Sequence, residues 1–165
     1  MALPRKSARS PQPWLAWRIA DGRFDAFSAV GAALVGGRWN SPGHGVIYAS
    51  RSFAGAMLES LAHAGIGRVP KTHVAIEIGI PGSTVVERHD EGTLPAGWDH
   101  RNLSVARAFG NEWLRDRRTA VLVVPSVVAR REANVLLNPQ HPDFSEIIAG
   151  APEPVIWDAR LFERR

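Results

Sequence analysis

The stretch Gly36 to His63, GGRWNSPGHGVIYASRSFAGAMLESLAH, decides how the rest of the chain is read. Gly36 and Gly37 permit backbone angles that other residues avoid, which places Arg38 and Trp39 on a sharp corner. Ser41-Pro42-Gly43-His44-Gly45 is a turn by composition. Val46 to Ser50 is too short and too β-rich for a helix, so it reads as an interior strand with Tyr48 at its middle. Ser52 suits the N-cap of a helix that runs to about Ala64, closes at Gly65 and carries Glu59. Phe53, Met57 and Leu61 recur at i, i+4 and i+8 and mark the expected core face. Glu59 then points away from that face, toward either solvent or a cleft. An arginine, a phenol and one carboxylate are thus delivered by three successive elements, and together they can hold and cleave an anionic nucleotide.

Upstream, Trp14 to Ala20 is an apolar strand with Arg18 as its single charge. Such a charge needs a partner or a ligand, or sits as an arginine snorkelling at a strand end. Downstream, Lys71 to Ile80 alternates, with Thr72, Val74, Ile76, Ile78 and Ile80 on one face and His73, Glu77 and Gly79 on the other, a strand with one wet side. Residues 87 to 101 form a polar loop around Trp98, readable as a lid or as simple connection. Asn102 to Arg118 is a second helix with Leu103, Ala106, Gly110 and Trp113 inward, and with arginines at its C-terminal end, where cations suit the macrodipole. Thr119 to Val124 has the composition of a central strand, and Pro125 leaves Ser126 at its mouth. Asn138-Pro139 is a turn expected to display Asn138 and His141, and residues 152 to 162 supply a last strand. About five to seven strands and two main helices, without steady strand–helix alternation, make an α+β fold.

The chain of 165 residues is long enough to bury one core, and with 45% hydrophobic and 22% charged residues it has the composition of a soluble globule. We read residues 1 to 13 as a flexible basic leader and 14 to 165 as one domain. No run approaches a membrane span, and the N-terminus lacks the apolar stretch of a secretory signal, so a cytoplasmic protein is expected. The sequence has no cysteine, which excludes disulfides, zinc–thiolate sites and thiolate catalysis. A net charge of +4 raises nucleic-acid binding as a second reading. The arginines are scattered along the chain, however, without a run of five or six, which is the pattern of a solvated surface.

Familiar sites are missing. Gly43-His44-Gly45 lacks the third glycine of a dinucleotide fingerprint, and there is no Walker lysine, no HExxH and no nucleophile elbow. Glu59 and His63 share a helix face, but two ligands without a third read as an ion pair rather than a metal site. Arg18, Arg38, Tyr48, Glu59 and Ser126 remain. Arginine grips phosphate with a planar fork, and tyrosine offers a stacking face with a hydroxyl at its rim. A lone glutamate beside a ribose can bind a hydroxyl, steady a cationic transition state and deprotonate a nucleophile. One carboxylate suffices when the leaving group is already cationic, as nicotinamide is in its dinucleotide. The plainer readings are a core tyrosine at 48, a turn serine at 126 and an Arg38–Glu59 ion pair.

GGRWNSPGHGVIYAS, the helix residues Ala56-Met57-Leu58-Glu59, VVPSVV at 123 to 128 and LLNPQHPDF at 136 to 144 together resemble the RES-domain toxins, over roughly Trp14 to Phe162. That family is named for an arginine, a glutamate and a serine, which fall on Arg38, Glu59 and Ser126. Arg18 and Tyr48 match further pocket positions. The resemblance implies an ADP-ribosyltransferase-like fold, a split, mostly antiparallel β core flanked by helices. It also implies NAD+ as substrate, no metal, and a cognate Xre-type antitoxin as partner. On it, Glu59 is the catalytic carboxylate, Arg38 and Arg18 hold the phosphates, Tyr48 stacks on nicotinamide, and Ser126 bonds the substrate near the ribose. The ADP-ribose acceptor stays open between water, phosphate and a protein such as a host metabolic enzyme. Beside this enzyme reading stand a basic nucleic-acid-binding domain and a non-catalytic module that docks an acidic partner.

Overall fold

Pairing of the short apolar runs settles the architecture. The computed structural model describes residues 6–9, 12–64 and 69–163. In chain order the elements are β1 (Lys6–Arg9), β2 (Trp14–Asp21), α1 (Val30–Val35), β3 (Ile47–Ser50), α2 (Phe53–Ala64) and β4 (His73–Ile80). There follow β5 (Val85–Arg88), α3 (Ser104–Arg115), β6 (Val121–Pro125), β7 (Ala133–Leu137), β8 (Ile148–Ala149) and β9 (Glu153–Pro154). The strands run in the order β1-β5-β6-β7-β3-β2-β4-β8, with β9 beside β4. Every pairing is antiparallel except β5 with β6.

The sheet is divided at its centre. Strand β2 pairs with β4 along its whole length, from Trp14↔Ile80 to Asp21↔His73, yet it meets β3 only at Trp17↔Ser50. The two halves fold toward each other around one core: Ala16, Ile76, Ile78 and Ile80 from one half pack with Ile47, Val86, Val121, Val135 and Leu137 from the other. A second core lies on the opposite face of β3, β6 and β7, where Leu122, Val124 and Leu136 meet Trp39, Trp98 and Trp113. Burial of such side chains contributes roughly 1.5–3 kcal/mol each, so these two layers carry the fold.

Several local expectations change on folding. Lys6–Arg9, which the sequence places in the leader, pair antiparallel with Val85–Arg88 as an edge strand, because backbone pairing needs no apolar pattern. On α2 the buried residues are Gly55 and Ala56, not the Phe53–Met57–Leu61 stripe; Phe53 is 38% exposed. Small side chains let this helix approach β2 and β3 closely, which turns Glu59 inward with them. The helix end expected at Gly65 lies outside the described residues. Asn138 is buried rather than displayed, because its side-chain amide donates to the Leu114 carbonyl at the end of α3. The last strand shrinks to Glu153–Pro154, followed by a short turn of helix at Ala159–Leu161. No described helix is long and apolar enough to cross a membrane.

Candidate active site

Glu59 reaches its position because α2 starts tightly. The Ser52 hydroxyl accepts from the Gly55 N–H, the capping bond expected of it, and donates to Glu132 at 2.8 Å. About two turns on, Glu59 Oε1 receives two donors: the Ser126 hydroxyl at 2.6 Å and the Asn134 amide at 2.8 Å. Ser126 is itself fixed, for its Oγ accepts from the N–H groups of Val128 and Ala129. Its proton has therefore one direction to point, onto Glu59. Asn134 is oriented in turn by Ser50, whose hydroxyl donates to Asn134 Oδ1 at 3.2 Å across the β3–β7 pair. Glu59 Oε2 has no hydrogen-bond partner among the described residues, so one oxygen is anchored and the other is open.

Tyr48 lies two residues before Ser50 on β3 and so shares its face, roughly 6.6 Å along the strand. Its hydroxyl donates to Asn40 Oδ1 at 2.7 Å and accepts from the Trp39 N–H at 3.0 Å. Burial pushes the phenol well above its ordinary pKa, against the opposing pull of the Trp39 amide and the nearby Arg107 and Arg38 charges. It is a neutral group at physiological pH. Gly37 is required beside it, since a Cβ there would come within 2.6 Å of the Tyr48 oxygen.

The two predicted arginines are held differently. Arg18 bridges the division of the sheet: its Nε donates to the Ala26 carbonyl at 2.7 Å and its Nη1 to the Tyr48 carbonyl at 2.8 Å. Burial lowers its pKa and the Asp25 charge opposes that shift. Arg38 donates to the carbonyls of Trp98 and His100, and not to Glu59. The 87–101 loop is consequently pinned rather than lid-like: Trp98 stacks on Trp39 at 6.0 Å, and Arg130 bonds Asp99 at 2.8 Å. Trp39, Trp98 and Trp113 are at most 5% exposed, which removes the stacking stripe a single-stranded nucleic acid would need.

The structure thus joins Glu59 to Ser126 directly and places Arg18 and Arg38 around Tyr48. Sequence reasoning missed Asn134, Ser50 and Arg107, whose Nε donates to the Gly37 carbonyl at 2.9 Å. A polar residue at each edge of an apolar run was the only signal for Ser50 and Asn134. Among the described residues no group of three or more His, Asp or Glu side chains is placed to hold a metal.

A divided, mostly antiparallel sheet with helices against it defines an α+β fold. The chain belongs to the RES domain family, whose model matches residues 15–158. It is 39% identical over 155 residues to the Prs ADP-ribosylating toxin of Sphingobium sp. (strain YBL2), covering 90% of this chain and 96% of the relative. It is 36% identical to the Toxin Res of Photorhabdus laumondii over 124 residues, 74% of this chain and 79% of that one. The fold is also that of a chain in the crystal structure of the M. tuberculosis MbcT–MbcA toxin–antitoxin complex, with a TM-score of 0.71 at 16% identity over 90% of this chain and 86% of that one.

Proposed function

We propose that this protein is a toxin that breaks the nicotinamide–ribose bond of NAD+, with Glu59 as its catalytic carboxylate. The observation that carries this reading is the Glu59 carboxylate, anchored through one oxygen by Ser126 and Asn134 and open at the other, with Tyr48, two residues before the Ser50 that orients Asn134, set among the Arg18 and Arg38 guanidiniums. As the C1′–N bond breaks, its electron pair passes to the ring nitrogen and neutralises the pyridinium, so no acid is required. Glu59 Oε2 steadies the positive charge that develops on the ribose and accepts a hydroxyl proton there. Arg38 and Arg18 serve the phosphates, with Arg107 as an added cation. The neutral Tyr48 ring stacks on nicotinamide. Ser126, whose hydroxyl is committed to Glu59, acts as a positioning residue.

The acceptor in this reading is a protein. The Sphingobium relative is named for ADP-ribosylating Prs, and this chain spans nearly all of it. Water or phosphate as acceptor makes the same cleft an NAD+-depleting hydrolase or phosphorylase. The expected partner is a cognate antitoxin, in line with the complex in which the mycobacterial chain was solved, and we place it in the Xre type on the family resemblance and in the cytoplasm, where NAD+ is available.

Incubation of the purified protein with NAD+ should release nicotinamide, and Glu59→Gln should abolish release while circular dichroism and Tm stay unchanged. A fully active, folded Glu59→Gln protein would refute the assignment. With NAD+ labelled in its adenylate and a cell lysate, a labelled protein band marks transfer, whereas small products alone mark depletion.

A further inference from the structure

The inner core, on the face of β3 opposite to Tyr48, ends in an unusual group. Trp14 packs against that core, and two guanidiniums lie over its indole: Arg51 at 4.3 Å from the ring centroid and Arg88 at 5.5 Å. Strand alternation puts the three at one end of the same layer. Trp14 lies two residues from Ala16, Arg51 two from Ala49 and Arg88 two from Val86, all three of which are buried in this core. We infer that Arg51 and Arg88, laid on Trp14, form a binding site for a phosphate-type dianion, separate from the Glu59 cleft.

Three observations carry this. Arg88 is partly buried, yet its guanidinium makes no hydrogen bond and no ion pair among the described residues, a state that charged groups avoid unless a ligand completes them. Its nearest charged influence is another cation: burial lowers the Arg88 pKa and the Arg51 charge lowers it further. Arg51 donates only one bond, from Nη1 to the Leu15 carbonyl at 3.3 Å. Neither Glu87, which is paired with His89 and Arg118, nor Glu132, which accepts from Ser52, forms an ion pair with Arg51 or Arg88 among the described residues. Two unneutralised guanidiniums therefore share one indole, and a ring beneath a guanidinium leaves its N–H edge free for in-plane hydrogen bonds. A tetrahedral dianion matches both the doubled charge and the forked donors, as a single carboxylate does not.

The position gives the site reach. Arg51 stands between Ser50, which orients the Asn134 that holds Glu59, and Ser52, which caps α2. An anion that draws Arg51 acts between the two supports of the proposed catalytic carboxylate.

The test uses the full chain and inorganic phosphate at constant ionic strength, with chloride as compensating salt. The indole ¹H–¹⁵N resonance of Trp14, identified by its loss in Trp14→Phe, should move saturably, and Tm should rise by about 3 °C at ten times Kd. Arg51→Gln and Arg88→Gln should each weaken the phosphate response at least about tenfold. Without phosphate, Arg88→Gln should melt no lower than wild type, since it relieves the repulsion. Arg38→Gln, which alters the nucleotide cleft, should keep the Trp14 response. A response equal in chloride alone, or one that survives both glutamine variants, overturns the site. So does a hexameric aspartate peptide that binds where phosphate does not, which would make the patch a contact for an acidic protein.

Discussion

At the scale of single residues, Glu59 is a carboxylate whose orientation is imposed from three elements. Ser126 follows β6 and Asn134 lies on β7, while Ser50 on β3 steers Asn134. Removing one donor leaves the other, so the carboxylate swings rather than departs. Asn134→Ala should lower kcat for nicotinamide release by about 10–100-fold with little change in KM, because a displacement near 1 Å is enough for such losses. Ser50→Ala, acting one bond further away, should cost less. Steady-state kinetics on both variants checks the order, and an Asn134→Ala enzyme with wild-type kcat would separate Asn134 from catalysis. Tyr48 has a different part. Its oxygen takes the Trp39 N–H and serves Asn40, so Tyr48→Phe strands a buried donor and should destabilise the fold by about 1–3 kcal/mol in urea unfolding. Because burial holds the phenol protonated, the pH profile of nicotinamide release between about pH 6 and pH 9 should contain no step that disappears in Tyr48→Phe.

At the scale of elements, small residues decide where the functional groups stand. Gly55 and Ala56 bring α2 down onto the sheet, and Glu59, half-buried on their side of the helix, reaches Ser126 and Asn134. The aliphatic period was legible in the sequence, and Phe53 does pack against Trp17 of β2, but the fully buried residues lie beside that stripe, since a glycine–alanine pair gives no hydrophobic signal and acts through closeness of approach. Helix α3 uses the same device. A Cβ on Gly110 would stand 1.8 Å from the Trp39 carbonyl oxygen, and that carbonyl belongs to the loop carrying Arg38. Gly110→Ala gains about 1 kcal/mol of helix propensity, yet it must push this loop away. The expected balance is a net loss of roughly 1–3 kcal/mol and a reduced affinity for NAD+. Chemical unfolding and calorimetric NAD+ titration report the two parts. If Gly110→Ala proved more stable than wild type, α3 would not be packed on Trp39. Strand identity was well read from β-branched runs, as with Val121–Pro125, which is buried throughout. Asn134 was not, because its partner is 75 residues away and nothing local marks the pairing.

At the scale of the whole molecule, an α+β class follows from the pattern of runs and a divided sheet from the family resemblance, whereas strand order follows from neither. Neighbours such as β5 and β6 are separated in the chain by α3, and their pairing depends on which faces the two cores cover. One long-range consequence concerns acid stability. Glu87 on β5 is 2% exposed and is shared by His89 at 2.9 Å and Arg118 at 2.8 Å, so the end of β5 is tied to the segment after α3. Burial alone would raise its pKa, but the hydrogen bonds from His89 and Arg118 prevail and bring it down from 4.5 to about 2. A carboxyl depressed on folding contributes stability that is complete above its unfolded pKa and is lost as pH falls through the folded one. The contribution is about 3 kcal/mol at most, present above about pH 4.5 and gone near pH 2. Asp21, Asp99 and Asp158, also lowered by arginine partners, lie at the solvent boundary and add little because water screens them. Wild-type stability measured by urea unfolding from pH 7 to pH 2.5 should therefore fall, and the fall should be shallower in Glu87→Gln. That variant should also be less stable than wild type at pH 7 by about 3–5 kcal/mol, since Arg118 keeps its burial and loses its principal counter-charge. Parallel pH curves for the two proteins would show that Glu87 carries none of the acid sensitivity and that the tie between β5 and the end of α3 is made by packing alone.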